Sequence, residues 1–345
     1  MKAISEHHGL DDAVIRRDVI ATGRPVVLRG LVAAWPAVQR ARESNGALAG
    51  YLQHLDSGAL IDAVMAPPEA GGRIFYSPAM DGFNFLRNRL TLSAVLEQVL
   101  RYAGFSNPPA VAVQSALLRD CLPGFAGENR LTVLGESVLP RVWLGNAITT
   151  PTHLDEWCNI ACVVCGRRRF TLFPPEQIGN LYIGPLDFAP TGAPVSLVDI
   201  RSPDLQKFPK FIDAIAVAQF AELDPGDAIF IPPLWWHHVE SLAPVNVLVN
   251  YWWHAAVPDQ ARHDSAFDAL MYCLLSIRDL PIETRTAWKA LFDHYVFGSL
   301  ELVARHIPEH RRGLLGPLSP QAAASLRAHL VKRLDPNKEG RLQGE

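Results

Sequence analysis

Short β-rich runs follow one another from Ala110 to His254, and this feature constrains the fold more than any other. Proline, glycine and aspartate turns such as Asp224-Pro225-Gly226-Asp227 separate the runs. Many short strands with turns between them are typical of an antiparallel sandwich or barrel. We therefore expect a mainly β core over about residues 110–256. The predicted strands are Ala110–Ser115, Val138–Leu144, Asn159–Val164, Arg167–Phe173, Val195–Ile200, Phe220–Leu223, Ala228–Ile231 and Val247–Trp253.

Helical patterns precede this core. Apolar spacing predicts helices over Asp12–Thr22, around Gly46–His54 and over Thr91–Ala103, and strands at Pro25–Leu28 and Leu60–Met65. We expect these elements to flank the barrel and to belong with it to one domain, residues 1–257.

After Pro258 the apolar residues repeat at helical spacing, which predicts two or three amphipathic helices in residues 258–345. These helices either pack on the barrel or form a subunit interface, and the pattern alone leaves both open. The apolar stripes are Phe267, Leu270, Met271, Leu274 and Leu275, followed by Trp288, Leu291, Phe292 and Tyr295.

The composition of the chain excludes several classes of protein. Hydrophobic residues make up 49% of the 345 residues and charged residues 19%, which excludes a disordered or low-complexity chain. The formal net charge of −3 gives no basic field, so nucleic acid is an unlikely partner. No apolar run approaches the ~18 residues of a membrane span. The segment Met1–Asp12 lacks an apolar stretch, so we expect no secretory signal and a cytoplasmic location.

The five cysteines are too few and too scattered for a disulfide framework. Cys158, Cys162 and Cys165 cluster and contain a CxxC motif, for which zinc is one interpretation. No second pair or suitably spaced histidine follows, and the neighbouring residues are apolar. We therefore favour the interpretation that these three cysteines are small buried residues on a strand.

The segment Thr150-Pro151-Thr152-His153-Leu154-Asp155 places a histidine and an aspartate two residues apart in a β-rich region. Residues two apart in an extended chain project from the same face, so both can bind one metal ion. A third ligand is available in Trp235-Trp236-His237-His238. Two histidines and one carboxylate form the facial triad of non-haem Fe(II) oxygenases. Taken alone, a lone histidine or aspartate is more often a surface or hydrogen-bonded core residue.

Four motifs together resemble the JmjC and cupin-like 2-oxoglutarate dioxygenases. Within that family they are most similar to the asparaginyl hydroxylase that inhibits hypoxia-inducible factor. The resemblance runs from about Pro25 to His254 and implies a double-stranded β-helix (jelly-roll) fold, Fe(II) as metal and 2-oxoglutarate as cosubstrate. It also implies a homodimer through paired C-terminal helices. The motifs are Pro25–Leu31, Gly166–Pro175, Leu223–Pro232 and Trp235–Leu242.

By this resemblance the metal ligands, which are also the catalytic residues, are His153, Asp155 and His237. His238 points the opposite way, because adjacent residues of a strand face opposite sides. The polar residues around the cosubstrate fall on Thr150, Asn159, Asn250 and Gln114, and an aromatic residue falls on Trp252. One position departs from the family, since Ala112 stands where the asparaginyl hydroxylase has a tyrosine that helps to bind the cosubstrate.

The family's lysine that binds the distal carboxylate of 2-oxoglutarate falls on Arg168. Alternation supports this position independently, because one face of the strand carries Arg168, Phe170 and Leu172 and the other carries Arg167 and Arg169. Arg168 is therefore expected to point into the barrel, where a guanidinium needs an anion. The alternative is a salt bridge to an internal carboxylate.

These features predict an Fe(II)- and 2-oxoglutarate-dependent oxygenase that uses O2 to hydroxylate a C–H bond of a protein or peptide side chain, or of a small molecule. Trp157, Trp235 and Trp252 are candidates for an apolar wall around the metal. Two alternatives remain open: a tRNA-base or methyl-lysine oxygenase with the same cofactors, and a catalytically silent metal-binding module. No motif identifies the substrate.

Overall fold

The computed structural model describes residues 1–254 and 265–334, which form two compact units. The described residues up to 254 belong to the first unit and those from 265 to the second. The predicted domain boundary between residues 257 and 258 lies outside the described residues.

The first unit is built on strands. In chain order they are β1 (Lys2–Ala3), β2 (Ser5–His8), β3 (Val26–Arg29), β4 (Ile61–Ala66), β5 (Leu86–Leu90), β6 (Ala110–Leu117), β7 (Pro140–Gly145), β8 (Thr149–His153), β9 (Cys158–Cys165), β10 (Arg168–Phe173), β11 (Gln219–Leu223), β12 (Ala228–Ile231), β13 (Trp236–Ser241) and β14 (Asn246–Trp253). The helices of this unit are α1 (Asp12–Val14), α2 (Pro36–Glu43), α3 (Asn45–Leu55), α4 (Leu92–Tyr102), α5 (Leu118–Cys121), α6 (Phe125–Glu128) and α7 (Phe211–Val217).

The strands form two sheets. One has the order β1-β11-β10-β13-β8 and the other the order β2-β3-β12-β9-β14-β7-β6-β4-β5. The chain passes between the sheets repeatedly from β8 to β14, and Ala161, Phe170 and Leu248 pack in the core between them. This arrangement confirms the predicted jelly-roll core with flanking helices.

Helices cover the outer face of the larger sheet. Leu48 of α3 and Leu92 of α4 belong to the same buried cluster as Cys158 and Cys162 of β9. Every residue of β9 is buried, which explains a run of small apolar residues without hydrophobic alternation. Burial raises the pKa of the Cys158 and Cys165 thiols to about 11, so both stay protonated. The cysteines of this strand act as small core residues.

Two predicted elements differ in the structure. The segment Asp12–Thr22 is an irregular helix, because α1 continues into a wide π turn over Ile15–Val19 and a 3-10 turn over Ile20–Thr22. The segment Val195–Ile200 is not a strand. It makes only isolated bridges, from Val195 to His153 and from Ser196 to Ile183, and Val198 packs in the cluster that contains Phe211 and Ala214 of α7. Helices α2 and α7 were not predicted from the sequence.

The second unit is helical, with α8 (Ala266–Ser276), α9 (Ile282–Tyr295), α10 (Leu300–Ala304) and α11 (Pro320–Leu334). The predicted stripes lie on α8 and α9, and neither helix contains a buried residue. Leu275 is 80% exposed and Trp288 is 42% exposed. These two helices therefore present apolar side chains to solvent. Over the described ranges, no helix combines the length and hydropathy needed to cross a membrane.

Candidate metal centre

A pocket lies between the two sheets of the first unit, and it contains most of the predicted site residues. Its walls come from β7, β8, β9, β10, β12, β13 and β14 and from the turn after β8. The lining residues are Trp143, Thr150, His153, Asp155, Asn159, Ala161, Arg168, Phe170, Ile231, His237, Val239, Leu248, Asn250 and Trp252.

His153, Asp155 and His237 meet in this pocket. His153 ends β8 and is the register partner of His237 on β13, while Asp155 follows two residues after His153. One ligand atom from each side chain lies within 4.8 Å of the others. Asp155 Oδ2 is 3.5 Å from Nε2 of His237. In the part of the chain that the structure describes, no other group of three histidine, cysteine or acidic side chains has this geometry.

Backbone contacts orient both imidazoles. Nδ1 of His153 lies 2.8 Å from the Pro151 carbonyl oxygen, and Nδ1 of His237 lies 2.9 Å from the Trp235 carbonyl oxygen. A carbonyl accepts only from a protonated nitrogen, so each Nδ1 is the donor and each Nε2 is the nitrogen left to bind a metal once it carries no proton. This is the arrangement that metal-binding histidines require of their outer nitrogen.

The ionisation of the three groups follows from burial and from their proximity. Burial and, to a smaller extent, the neighbouring His237 lower the pKa of His153 to about 4. Burial raises the pKa of Asp155, but the hydrogen bond and charge of His237 outweigh this effect and hold it below its usual value. The site therefore contains a carboxylate and a neutral histidine.

Trp252 and Leu234 hold Asp155 in place. The indole Nε1 of Trp252 donates to Oδ2 of Asp155 at 3.1 Å, and the backbone N–H of Leu234 donates to its carbonyl oxygen at 2.8 Å. Leu234 has a φ of 63°, a left-handed conformation that is unusual for leucine. The indole thus holds the carboxylate of Asp155, and a residue in a strained conformation holds its backbone.

Arg168 points into the pocket beside Phe170, and its side chain is buried. Its neighbours on the opposite face, Arg167 and Arg169, pair with Glu222, and Arg169 also with Glu240. No ion pair joins Arg168 to another described residue, and its Nε is buried without a hydrogen-bond partner. Burial lowers the pKa of Arg168 to about 10, which leaves it charged at neutral pH. The internal salt bridge considered as an alternative is not formed.

A chain of amide contacts runs along the opposite wall. The indole Nε1 of Trp143 donates to Oδ1 of Asn250 at 2.8 Å, and Nδ2 of Asn250 donates to Oδ1 of Asn159 at 3.2 Å. These contacts orient the Asn159 amide so that its Nδ2 remains available as a donor. Trp143 was not predicted from the sequence. Its only signal is the alternation of β7, where the neighbouring Val142 and Leu144 are buried in the helix-facing cluster.

Several predicted residues lie elsewhere. Gln114 does not line the pocket, because β6 bulges after Val113 and Ser115 adopts a φ of 56°. Ala112 packs in a separate apolar cluster against Ile148, and the glycine beside it, Gly145, has no room for a Cβ.

The other predicted aromatic and histidine residues do not all lie at the pocket. Trp252 lines the pocket. Trp157 is partly exposed, and its ring lies against that of His254. Trp235 is not among the lining residues but packs against the core cluster that contains Phe170 and Leu248. His238 does face away from His237, and both of its ring nitrogens are buried with no partner among the described residues.

Comparison with known proteins identifies the family. The sequence profile of the cupin-like domain matches residues 12–259. The chain belongs to the cupin-like family.

Relatives of this cupin-like protein include the human "HSPB1-associated protein 1", which is 37% identical over 167 residues, or 48% of this chain and 32% of that protein. "Lysine-specific demethylase JMJ30" of Arabidopsis thaliana is 30% identical over 274 residues, which cover 73% of this chain and 55% of the relative. "Lysine-specific demethylase 8" of Xenopus tropicalis is 26% identical over 238 residues, covering 67% and 48%. The matched part of this chain thus spans about a third to a half of each relative.

Proposed function

We propose that this cupin-like protein is an Fe(II)- and 2-oxoglutarate-dependent oxygenase that hydroxylates a C–H bond of its substrate. The observation that carries the proposal is a single pocket that holds both a two-histidine, one-carboxylate cluster and a buried arginine without an anion. Neither feature is needed for a stable barrel, because both place polar groups in an apolar interior at a cost in free energy.

The donor set fits Fe(II). Two imidazole Nε2 atoms and one carboxylate occupy one face of a metal ion and leave the other face for exogenous ligands, as in non-haem Fe(II) oxygenases. The hydrogen bond from Trp252 to Oδ2 of Asp155 fixes the orientation of this carboxylate beside His237. His153, Asp155 and His237 are thus the residues that would hold the metal.

The opposite end of the pocket fits a dicarboxylate. Arg168 presents a planar guanidinium that can grip the distal carboxylate of 2-oxoglutarate with two parallel hydrogen bonds. Asn159, Asn250 and Thr150 line the same pocket and can supply polar contacts to the cosubstrate. Without the family's tyrosine, Trp143 is the aromatic side chain that β7 contributes to this wall.

Fe(II) with 2-oxoglutarate and O2 supplies the oxidising chemistry when all three are bound. This chain's own residues bind and orient the reactants. Phe170, Ile231 and Leu248 keep bulk water away from the reacting centre, which limits side reactions.

For the substrate, we propose a side chain of a protein or peptide. Two relatives bear the name "lysine-specific demethylase" and others the name "HSPB1-associated protein 1", so protein-directed activities occur among similar chains. The same names favour N-methyl-lysine demethylation as a second candidate, since hydroxylation of an N-methyl group leads to its loss. A small-molecule substrate and a tRNA base remain less supported alternatives.

The test measures the consumption of 2-oxoglutarate and the formation of succinate by NMR, with the protein supplied with Fe(II), ascorbate and air. We expect several turnovers per protein chain, none with Asp155→Ala, and a rate increase with a peptide substrate. Fully metal-loaded protein that forms no succinate, with any peptide tried, would instead identify a catalytically silent metal-binding module.

We further propose a homodimer that forms at least in part through α8 and α9. The support is their exposed apolar stripes, which include Leu270, Leu275 and Leu291. Soluble proteins rarely leave such contiguous apolar surface uncovered.

A further inference from the structure

One edge of the pocket around the triad is open to solvent. Four of its lining residues are only partly buried, namely Trp143, Asp155, Val239 and Trp252, whereas the others are buried. Contacts join three of the four. The rings of Trp143 and Trp252 meet edge to face with their centres 6.1 Å apart, and the indole of Trp252 donates to Asp155. These three side chains therefore lie at the mouth of the pocket.

Arg141 lies beside this mouth. It precedes Trp143 by two residues on β7 and is the register partner of Asn250 on β14, so it projects from the face of the larger sheet that lines the pocket. Its guanidinium carbon Cζ lies 5.6 Å from the centre of the Trp252 ring, within the range of a cation–π contact. A positive charge is thus placed next to the indole that supports the metal ligand.

The bulge in β6 holds this guanidinium in position. Nη1 of Arg141 donates to the carbonyl oxygen of Ser115 at 2.8 Å and to its hydroxyl at 3.3 Å. Ser115 lies in the bulge and has a φ of 56°, a left-handed conformation that is uncommon for serine. Bulges re-aim side chains and are frequent beside active sites. Because Arg141 is fixed before any ligand arrives, it loses little conformational entropy on binding one.

The remaining donors of Arg141 are free. Its Nε and Nη2 make no hydrogen bond with a described residue, and neither atom is fully buried. No described carboxylate forms an ion pair with Arg141, and Asp120 nearby contacts Arg119 at 3.4 Å instead. Burial and, to a smaller extent, Arg119 lower the pKa of Arg141, whereas Asp120 acts in the opposite direction. The guanidinium therefore lacks a counter-charge among the described residues.

We propose that Arg141 binds a carboxylate of the protein or peptide substrate and so selects acidic sequences. This inference rests on the proposed function, in which the charges inside the pocket cancel. The charges of Fe(II) and Arg168 balance those of Asp155 and 2-oxoglutarate, and the two histidines are neutral as ligands. Arg141 then stays positive at the mouth without an anion. Its two free donors match the two oxygens of a carboxylate.

The same charge disfavours a cationic residue of the substrate. An N-methyl-lysine would bring a second positive charge to the mouth, where it is repelled by Arg141. The inference therefore favours hydroxylation near an acidic residue over demethylation of N-methyl-lysine.

The test measures binding of fluorescein-labelled random peptides by fluorescence polarisation. It uses the full-length protein with Mn(II) and 2-oxoglutarate in the absence of O2. In one set, blocked at both ends, one position at a time is fixed as Asp, Asn or Lys. A second set compares a free C-terminal carboxylate with an amide, which distinguishes a chain end from an acidic side chain. We expect a carboxylate in one set to bind at least fivefold more tightly than its amide, and Lys more weakly than Asn.

Three variants assign the preference to Arg141. Arg141→Gln removes the charge but keeps a donor for Ser115, so it should bring the carboxylate-to-amide ratio of affinities close to one. Arg141→Lys keeps a charge without the paired donors and should restore part of the preference. Arg119→Gln is the matched control, since it removes a nearby exposed arginine and should leave the ratio unchanged. A purely structural role of Arg141 would alter both kinds of peptide alike. Circular dichroism establishes that each variant is folded.

The inference is overturned if the wild type binds carboxylate and amide peptides equally or binds none of them, a result that needs no variant. It is also overturned if folded Arg141→Gln keeps the preference, or if Arg119→Gln loses as much of it. Succinate formation by the wild type without peptide separates this outcome from the proposed function. Succinate without a carboxylate preference would remove only the role of Arg141, whereas an Arg141-dependent preference without succinate would remove only the oxygenase.

Discussion

At the scale of single residues, the central feature is a buried guanidinium that has no anionic partner among the described residues. Arg168 is 6% exposed, and the one carboxylate among the described residues that line its pocket, Asp155, contacts His237 and Trp252. An unpaired buried charge destabilises a folded protein, so a residue like this is maintained by what it binds. Stability and cosubstrate binding should therefore respond to its substitution in opposite ways.

We predict that Arg168→Met raises the apparent constant for 2-oxoglutarate at least tenfold, because a buried charge-assisted pair is worth about 2–5 kcal/mol. In the absence of cosubstrate, the same variant should unfold at an equal or higher temperature. Metal binding should stay intact. Arg167→Met and Arg169→Met are the controls, since their side chains pair on the opposite face. Equal, small effects of all three substitutions on the constant would exclude Arg168 as the anchor.

Trp252 gives a second prediction at this scale. Trp252→Phe removes the indole N–H that donates to Asp155 and keeps an aromatic ring in the pocket. Groups that orient a metal ligand typically contribute ten- to a hundredfold to metal affinity. We expect Mn(II) affinity, measured by EPR titration, to fall by about tenfold or more. Trp157→Phe is the matched control, because Trp157 stacks on His254 instead. Unchanged affinity in both variants would show that Asp155 needs no support from Trp252.

At the scale of elements, the pairing of β8 with β13 and the turn that leads from β9 to β10 build the site. The pairing places His153 opposite His237, and the tight turn at Gly166 carries the chain from one sheet to the other and sets the phase of Arg168. Gly166 has a φ of 76°, and a Cβ at this position would lie 2.3 Å from Oδ1 of Asn246. Both the backbone conformation and the space at this turn require glycine.

Gly166→Ala is therefore expected to lower the free energy of unfolding by about 2 kcal/mol or more, measured by urea denaturation. Gly192→Ala separates the two causes, because Gly192 has a φ of 81° and open space around it. That control should cost only about 1 kcal/mol. If both substitutions cost the same, the close contact with Asn246 does not constrain the turn.

The strands and loops also explain which features of the site could be predicted from the sequence and which could not. The ligands on β8 and β13 and the inward phase of Arg168 are local properties of strand alternation, so they could be predicted. Trp143 could not, because its contact with Asn250 depends on β7 lying beside β14, about 100 residues later in the chain. The positions of Trp157 and Trp235 could not be predicted for a similar reason, because their neighbours depend on loop geometry. The position of Gln114 outside the lining residues could not be predicted, because a bulge in β6 gives no clear sequence signal.

At the scale of the whole molecule, the two units have different surfaces. The first unit buries its apolar residues in several clusters, whereas α8 and α9 of the second bury none. This contrast supports the proposed homodimer. A cytoplasmic location remains a prediction from the sequence.

We predict a dimeric mass by light scattering at micromolar concentration. Leu275→Glu and Leu291→Glu should shift the protein toward monomer, since each places a charge in an exposed apolar stripe. Thr286→Glu, at an exposed polar position of α9, should leave the mass unchanged. A wild-type protein that is strictly monomeric at this concentration would contradict the proposal.

The central claim is that His153, Asp155 and His237 hold one divalent metal ion, and anaerobic Fe(II) loading followed by metal analysis tests it most directly. We predict one ion per chain in the wild type, almost none in Asp155→Ala and His237→Ala, and nearly full occupancy in His238→Ala, whose ring faces away from the pocket. Circular dichroism would establish that each variant is folded. Full metal occupancy in Asp155→Ala, or equal losses in the two histidine variants, would contradict the assignment of the triad.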